Sequence, residues 1–258
     1  MAFKQTVFSA GNPQLKGDQL IIPSGSTLKN IPSNLDPKQR VQLDGIRSSI
    51  EMADLAFRRL VQSLSLISKR AEQDFNSDNY TLAFSDAWTI IDSIDRLRGL
   101  LHPLAKSDQN DSNYIQGFID SFTVIRVLRN GIQHVNGRIE KLVKNNSSVW
   151  GSLSWVAIDK NEPNSGKVHV IIDGPIINNS SFPAVNPIEK DISYPISQIQ
   201  LTAYEESVNI SDIHEALRSL YNNMEEMLKP QFEGQPKSGA TMHMSLSFTM
   251  ALETSDSD

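Results

Sequence analysis

Arg129, Asn130 and His134 fall within a single stretch, VIRVLRNGIQHVNGRIEKLVK, that runs from Val124 to Lys144. An arginine, an amide and a histidine are a chemically sensible set for cutting RNA without a metal ion. The 2′-hydroxyl can attack the neighbouring phosphorus once a base removes its proton. The trigonal-bipyramidal transition state then gathers negative charge, which a guanidinium can hold through two hydrogen bonds. Histidine titrates near neutrality and can serve as base or acid at working pH. On an unbroken helix Asn130 and His134 share a face at i and i+4, so the amide could orient the imidazole. Arg129 projects to one side and converges on them only through a break near Gly131 or through a second subunit.

The surroundings of this set are basic in an acidic chain. Between Ser121 and Lys144 five cations, Arg126, Arg129, Arg138, Lys141 and Lys144, face the single anion Glu140, whereas the whole chain carries a formal charge of −6. Any contact with nucleic acid therefore needs a local patch. Arg126, Arg138 and Lys141 are the candidates for guiding an RNA backbone, against the plainer reading of a solvated helix face. Asp92 and Asp95 could hold an arginine in a cleft, or could form helix-face pairs with Arg96 and Arg98 at four- and three-residue spacing. Trp88, Trp150 and Trp155 read as core or interface residues. His169 and His243 have no neighbours at ligand spacing, so no metal and no cofactor is expected. With no cysteine, disulfides, zinc–thiolate sites and cysteine nucleophiles are excluded. Phosphate-binding loops, dinucleotide fingerprints, nucleophile elbows and His-Glu-x-x-His helices are missing from the sequence as well.

The elements that must position the set follow from periodicity. Residues 1–35 read as an irregular arm with room for one strand around Leu20-Ile21-Ile22. Asp36-Pro37 is an N-cap acid followed by proline, and Leu43, Ile46, Ile50, Ala53, Phe57, Leu60, Leu64 and Ile67 then mark one face of a long helix. Asn76-Ser77-Asp78-Asn79 interrupts the pattern. Phe84, Ala87, Ile91, Ile94, Leu97, Leu101 and Leu104 restore it in a second helix, which Pro103 should end or kink. After the polar loop Lys106–Asn113, a third seam comprises Phe118, Phe122, Ile125, Leu128, Ile132, Val135, Ile139 and Leu142. Gly131 and Gly137 are sites at which that segment could divide into two helices. Beyond Asn145, Val149–Ile158 and Lys167–Ile172 read as strands of a hairpin whose loop holds Asn161, Pro163, Asn164 and Gly166. A further strand is expected over Gln198–Tyr204. Asp212 with Glu215 should open a short helix that Pro230 closes, and MSLSFTMAL could form a terminal strand.

The expected fold class is therefore α+β: an N-terminal antiparallel bundle of three to four long helices, followed by a small antiparallel β/α domain. The expected divisions are an irregular arm at 1–35, the bundle at 36–146, the mixed β/α domain at 147–230 and a mobile tail at 231–258. No apolar run approaches a membrane span and the first residues lack a signal-peptide core, so a cytoplasmic protein without a membrane partner is expected.

A helical bundle with Arg-Asn-x-x-x-His near the start of its last long helix resembles the HEPN superfamily, whose pattern is arginine, four to six residues, then histidine. The match is Arg129, Asn130 and His134, and the resemblance covers about residues 36–145. Arg96 and His102 satisfy the bare spacing too, but lack the adjacent asparagine and the basic stripe. The resemblance implies a homodimer or higher homo-oligomer in which two copies of the motif face each other across a cleft. It also implies metal-independent endoribonuclease activity, often in toxins or in defence effectors against phage. Arg129 would then stabilise the phosphorane, His134 would be general acid/base, and Asn130 would orient it. The competing expectation is a non-catalytic helical scaffold that assembles with itself, a protein partner or a regulator. Catalysis needs Arg129 and His134 within reach of each other and of solvent; the scaffold reading expects them apart or capped by carboxylates.

Overall fold

Asp36 opens the first long helix in the computed structural model, which describes residues 21–69, 77–105, 113–145, 147–159, 162–174, 184–185, 195–237 and 245. The Asp36 carboxylate accepts the Lys38 N–H at 2.9 Å, and Pro37 begins helix α1, Pro37–Lys69. Helix α2, Ser77–Ala105, runs back along it: Gln42 near the start of α1 donates to the Leu100 carbonyl at 2.8 Å, and Arg59 further along pairs with Asp86. The pair is thus antiparallel. Leu43, Ile46, Ile50, Ala53, Leu60 and Leu64 are buried against Phe84, Ala87, Ile91, Ile94, Leu97 and Leu101, as the periodicity requires. Pro103 lies inside α2, two residues from its end, instead of closing it.

The third seam is broken twice. It divides into α3, Asn113–Ser121, and α4, Thr123–Gln133, then a 3-10 turn over Val135–Arg138 and a short α5, Ile139–Lys144. The division near the motif falls at His134 and not at Gly131, which stays within α4. Phe118, Phe122, Ile125 and Leu128 are buried, but past the break only Leu142 is, and Ile139 is 44% exposed.

Four strands form one antiparallel sheet in the order β2-β1-β3-β4: β1 Ser152–Asp159, β2 Glu162–Ile172, β3 Ile196–Ala203 and β4 Glu206–Asn209. Leu153 stands opposite Leu201, and Trp155 opposite His169. The β1–β2 connection is tighter than the composition suggests. Asp159 pairs with Glu162, so Pro163, Asn164 and Gly166 belong to β2, whose place at the sheet edge tolerates a proline. Gly151, at φ +81°, lets the chain enter β1: a Cβ there would stand 2.2 Å from the Thr202 carbonyl oxygen.

Helix α6, Ile210–Phe232, covers the sheet and reaches α1 and α3. Its cap is Asn209, whose side chain accepts the Asp212 N–H at 3.1 Å, so the helix starts before the expected Asp212, and it continues two residues beyond Pro230. Ile213, Leu217, Leu220, Met224 and Leu228 join Leu153, Trp155 and Leu201 in the same buried cluster as α1 and α2. The core therefore crosses residue 146 without a gap. Trp155 in β1 donates to the Ser68 hydroxyl of α1 at 2.9 Å, and Trp88 of α2 donates to the Trp150 carbonyl at 3.1 Å.

The arm is irregular where described, with a 3-10 turn at Thr27–Lys29 and bends at Ile21 and Ile22 in place of a strand. It is held to α6, where Glu225 accepts the Thr27 N–H at 2.8 Å and the Ser26 hydroxyl at 2.9 Å. Residues 231–237, expected to be mobile, are tied down: the Pro236 carbonyl accepts the Ser33 N–H at 2.8 Å. The expected terminal strand, apart from Ser245, together with His243 and the loop at 106–112, lies outside the described residues. Among the described residues no helix is long and apolar enough to cross a membrane.

Candidate functional site

Arg129 projects from α4 onto α2. Its Nε donates to Asp92 at 2.9 Å and its Nη1 pairs with Asp95 at 3.0 Å. Asp92 and Asp95 are three residues apart, so one helix face presents both carboxylates to a neighbouring helix. Each acid also faces an arginine of its own helix. Asp92 also accepts from Arg96 Nε at 2.7 Å, while Asp95 stands at a looser 3.8 Å from Arg98 Nη1. Arg98 is otherwise engaged, donating Nε–H to the Ile119 carbonyl at 3.1 Å. The hydrogen bond donated to Asp92 and the charges of both acids hold the Arg129 guanidinium pKa above its ordinary value, against the opposing pull of partial burial.

His134 is where α4 ends. Its backbone leaves helical geometry at φ −112° and ψ 32°, while its N–H still donates to the Asn130 carbonyl at 3.1 Å. The imidazole is exposed and Asn130 is half-buried. Among the described residues no side-chain hydrogen bond joins Asn130 to His134, and none joins Arg129 to either. One chain thus brings Arg129 together with Asp92 and Asp95, and leaves His134 facing solvent one turn away.

The basic stripe divides in the same place. Arg126 is exposed on α4. Arg138 lies with its Cζ 5.5 Å from the centre of the Tyr204 ring, and Lys141 Nζ meets Glu205 Oε2 at 2.6 Å. Asn145 donates to the other Glu205 oxygen, also at 2.6 Å. Tyr204 and Glu205 are the two residues of the β3–β4 turn, with Ala203 and Glu206 paired across it. Their φ values are +55° and +70°, a left-handed turn that asparagine and glycine adopt easily and that costs other residues roughly 1 kcal/mol each or more. Contacts offset that strain. The Tyr204 hydroxyl donates to the Val149 carbonyl at 2.8 Å, and its ring meets Trp88 edge to face. Hydrogen bonding to Lys141 holds the Glu205 carboxyl below its usual range.

The Tyr204 ring also explains the glycine in α4. A Cβ on Gly131 would stand 2.4 Å from Tyr204 Cδ2. Gly131 is therefore a contact glycine, and the helix runs through it.

Compared with protein-family models, curated proteins and solved structures, the chain matches none.

The chemistry open to the site follows from what is used and what is left. A guanidinium has five N–H donors in a rigid fork. The two carboxylates take up Nε and one terminal nitrogen, and the side chain remains 27% exposed. A guanidinium held through two of its nitrogens keeps further N–H donors for an anion. Among the described residues no group of three or more His, Cys, Asp or Glu side chains could hold a metal ion. Sequence reasoning missed Tyr204, Glu205 and Asn145. The turn carries Tyr-Glu where a hairpin signal would be Asn-Gly, so nothing marked it as tight. The one available clue was Gly131, an interior helix glycine with nothing else to explain it.

Proposed function

We propose that this chain is a HEPN-like, metal-independent endoribonuclease that acts in the cytoplasm as a toxin or defence effector, with a cleft completed by a second copy. The observation that supports it best is the clamp on Arg129. Asp92 and Asp95 hold Nε and Nη1 of the guanidinium, its side chain stays 27% exposed, and His134 at the end of the same helix is exposed. In the proposed reaction His134 of one subunit takes the proton from a 2′-hydroxyl, and the 2′-oxygen bonds to phosphorus. The P–O5′ bond breaks, and the leaving 5′-oxygen is protonated by a second acid, a role assigned in this reading to the other copy's histidine. The products are a 2′,3′-cyclic phosphate and a 5′-hydroxyl. Arg129 faces the phosphorane oxygens, where charge develops.

The test is incubation of the purified native oligomer with a mixed RNA pool in the presence of a chelator. Cleavage with cyclic-phosphate ends is expected, reduced by about 10²- to 10⁴-fold in His134→Ala, the usual weight of one general acid/base. Intact RNA with the native protein, or cleavage indifferent to His134→Ala, would sink the reading.

The second reading, a non-catalytic scaffold, has its own supporting observation. Capping of Arg129 by carboxylates is the arrangement it expects, and Arg138 and Lys141 are occupied by the β3–β4 turn. On this reading Arg129→Ala loosens α4 from α2 and lowers stability, with no catalytic activity to lose.

A further inference from the structure

The β3–β4 turn lies across the part of the basic stripe that an RNA-directed protein would use, and it places an anion there. Glu205 presents two carboxylate oxygens, one to Lys141 and one to Asn145, each at 2.6 Å. Arg138, stacked over Tyr204, is the third polar group beside the same small pocket, which Ser147 and Leu142 complete. A phosphodiester offers the same pair of charged, non-bridging oxygens as a carboxylate does. Arg126 on α4 and Lys144 on α5 are further exposed cations of the same segment. Two cations and an amide donor thus converge on a site that the chain's own carboxylate occupies, in a protein of net charge −6.

We propose that Glu205 and the phosphodiester backbone of single-stranded RNA compete for one anion site made by Arg138, Lys141 and Asn145, so that the β3–β4 turn covers the stripe until RNA displaces Glu205. The two turn residues differ in how firmly they are held. Tyr204 is buried, hydrogen-bonded to Val149 and laid against Gly131. Glu205 is 54% exposed and Lys141 58% exposed, and an ion pair so open to water holds weakly. Rotation of the Glu205 side chain alone uncovers Lys141 and Asn145, with no change in the backbone. Arg138 meanwhile stays on the Tyr204 ring, which keeps its planar guanidinium oriented for a phosphate. The identity of the polyanion rests on the RNA-directed reading above; the competition itself does not depend on cleavage.

The test is fluorescence anisotropy of a labelled single-stranded RNA oligonucleotide with the full chain, in four forms: native, Glu205→Gln, Lys141→Gln and the double variant. Glu226→Gln, an exposed acid on α6, serves as the control for net charge. The expected result is binding at least five-fold tighter for Glu205→Gln, no tightening for Glu226→Gln, and no gain from Glu205→Gln once Lys141 is glutamine. Unchanged or weaker binding by Glu205→Gln overturns the proposal. Equal tightening by both single carboxamide variants also overturns it, because charge alone would then account for the effect. A parallel cleavage assay separates the two claims. Tighter binding without any cleavage keeps the covered site and removes the nuclease. His134-dependent cleavage with no response to Glu205→Gln keeps the nuclease and removes the covered site.

Discussion

Gly131 lies two residues from Arg129, with the Tyr204 ring against its Cα, and this contact ties the candidate site to the sheet. Replacing glycine by alanine in a helix interior ordinarily stabilises by roughly 1 kcal/mol. Here the added methyl would enter the ring, so Gly131→Ala should instead destabilise by about 1 to 3 kcal/mol, the usual cost of overpacking. Urea denaturation settles the sign. In a Tyr204→Ala background the obstacle is gone, and the same substitution should become neutral or stabilising. A loss of stability from Gly131→Ala that persists without the ring would show that the steric account is wrong. Arg129 is held differently, by two charge-assisted hydrogen bonds at partial exposure. Its substitution should therefore act on α4 orientation as well as on any chemistry.

Between elements, a buried polar pair joins α1 to α6. His214 Nε2 lies 3.0 Å from Asp54 Oδ1, both side chains almost fully buried, and the imidazole stacks on Phe57 at 3.8 Å. Arg58 Nη2 stands 3.4 Å from the other Asp54 oxygen, which also accepts the Ile21 N–H at 3.3 Å and so fastens the arm. Burial pushes the Asp54 carboxyl upward, but hydrogen bonds from His214 and Ile21 and the charge of Arg58 outweigh it, and the group sits below its ordinary value. A carboxyl with a depressed folded-state pKa stabilises the fold above its unfolded value, near 4, and loses that contribution as pH falls through the folded value. Asp54→Asn should therefore cost about 3 kcal/mol at neutral pH, the range for breaking a buried pair, and progressively less in acid. Denaturation curves of both proteins at pH 7 and in the acid range read this out. A gap that stays constant with pH would exclude the ionised carboxylate as its source.

Across the whole molecule, one hydrophobic cluster includes the arm, both long helices, the sheet and α6. Trp155 of the sheet is fully buried with its indole on Ser68 of α1. The bundle and the β/α part should accordingly unfold together, with tryptophan fluorescence and far-ultraviolet circular dichroism giving coincident urea transitions. A fragment of residues 36–146 would lose the packing of α6 against α1 and α3, and is expected to fold poorly or associate. Two resolved transitions, or a stable monomeric fragment, would mean that the shared core is energetically two.

The amino-acid sequence determined the α+β class, the two long helices and three of the four strands, because each rests on local periodicity: one apolar residue every three or four positions, or every second one. It also determined which side chains carry chemistry around Arg129, and that Asp92 and Asp95 sit one helix turn apart. The break at His134, the partner of Arg129 and the occupation of Lys141 by Glu205 were decided only in three dimensions. The last two depend on residues far apart in the chain meeting in space: Arg129 and Asp92 are 37 positions apart, and Lys141 and Glu205 are 64. Periodicity reports which face of an element is apolar. It carries no information about which other element covers that face, and so the ring that fills the gap at Gly131 became visible only once the β3–β4 turn was packed against α4.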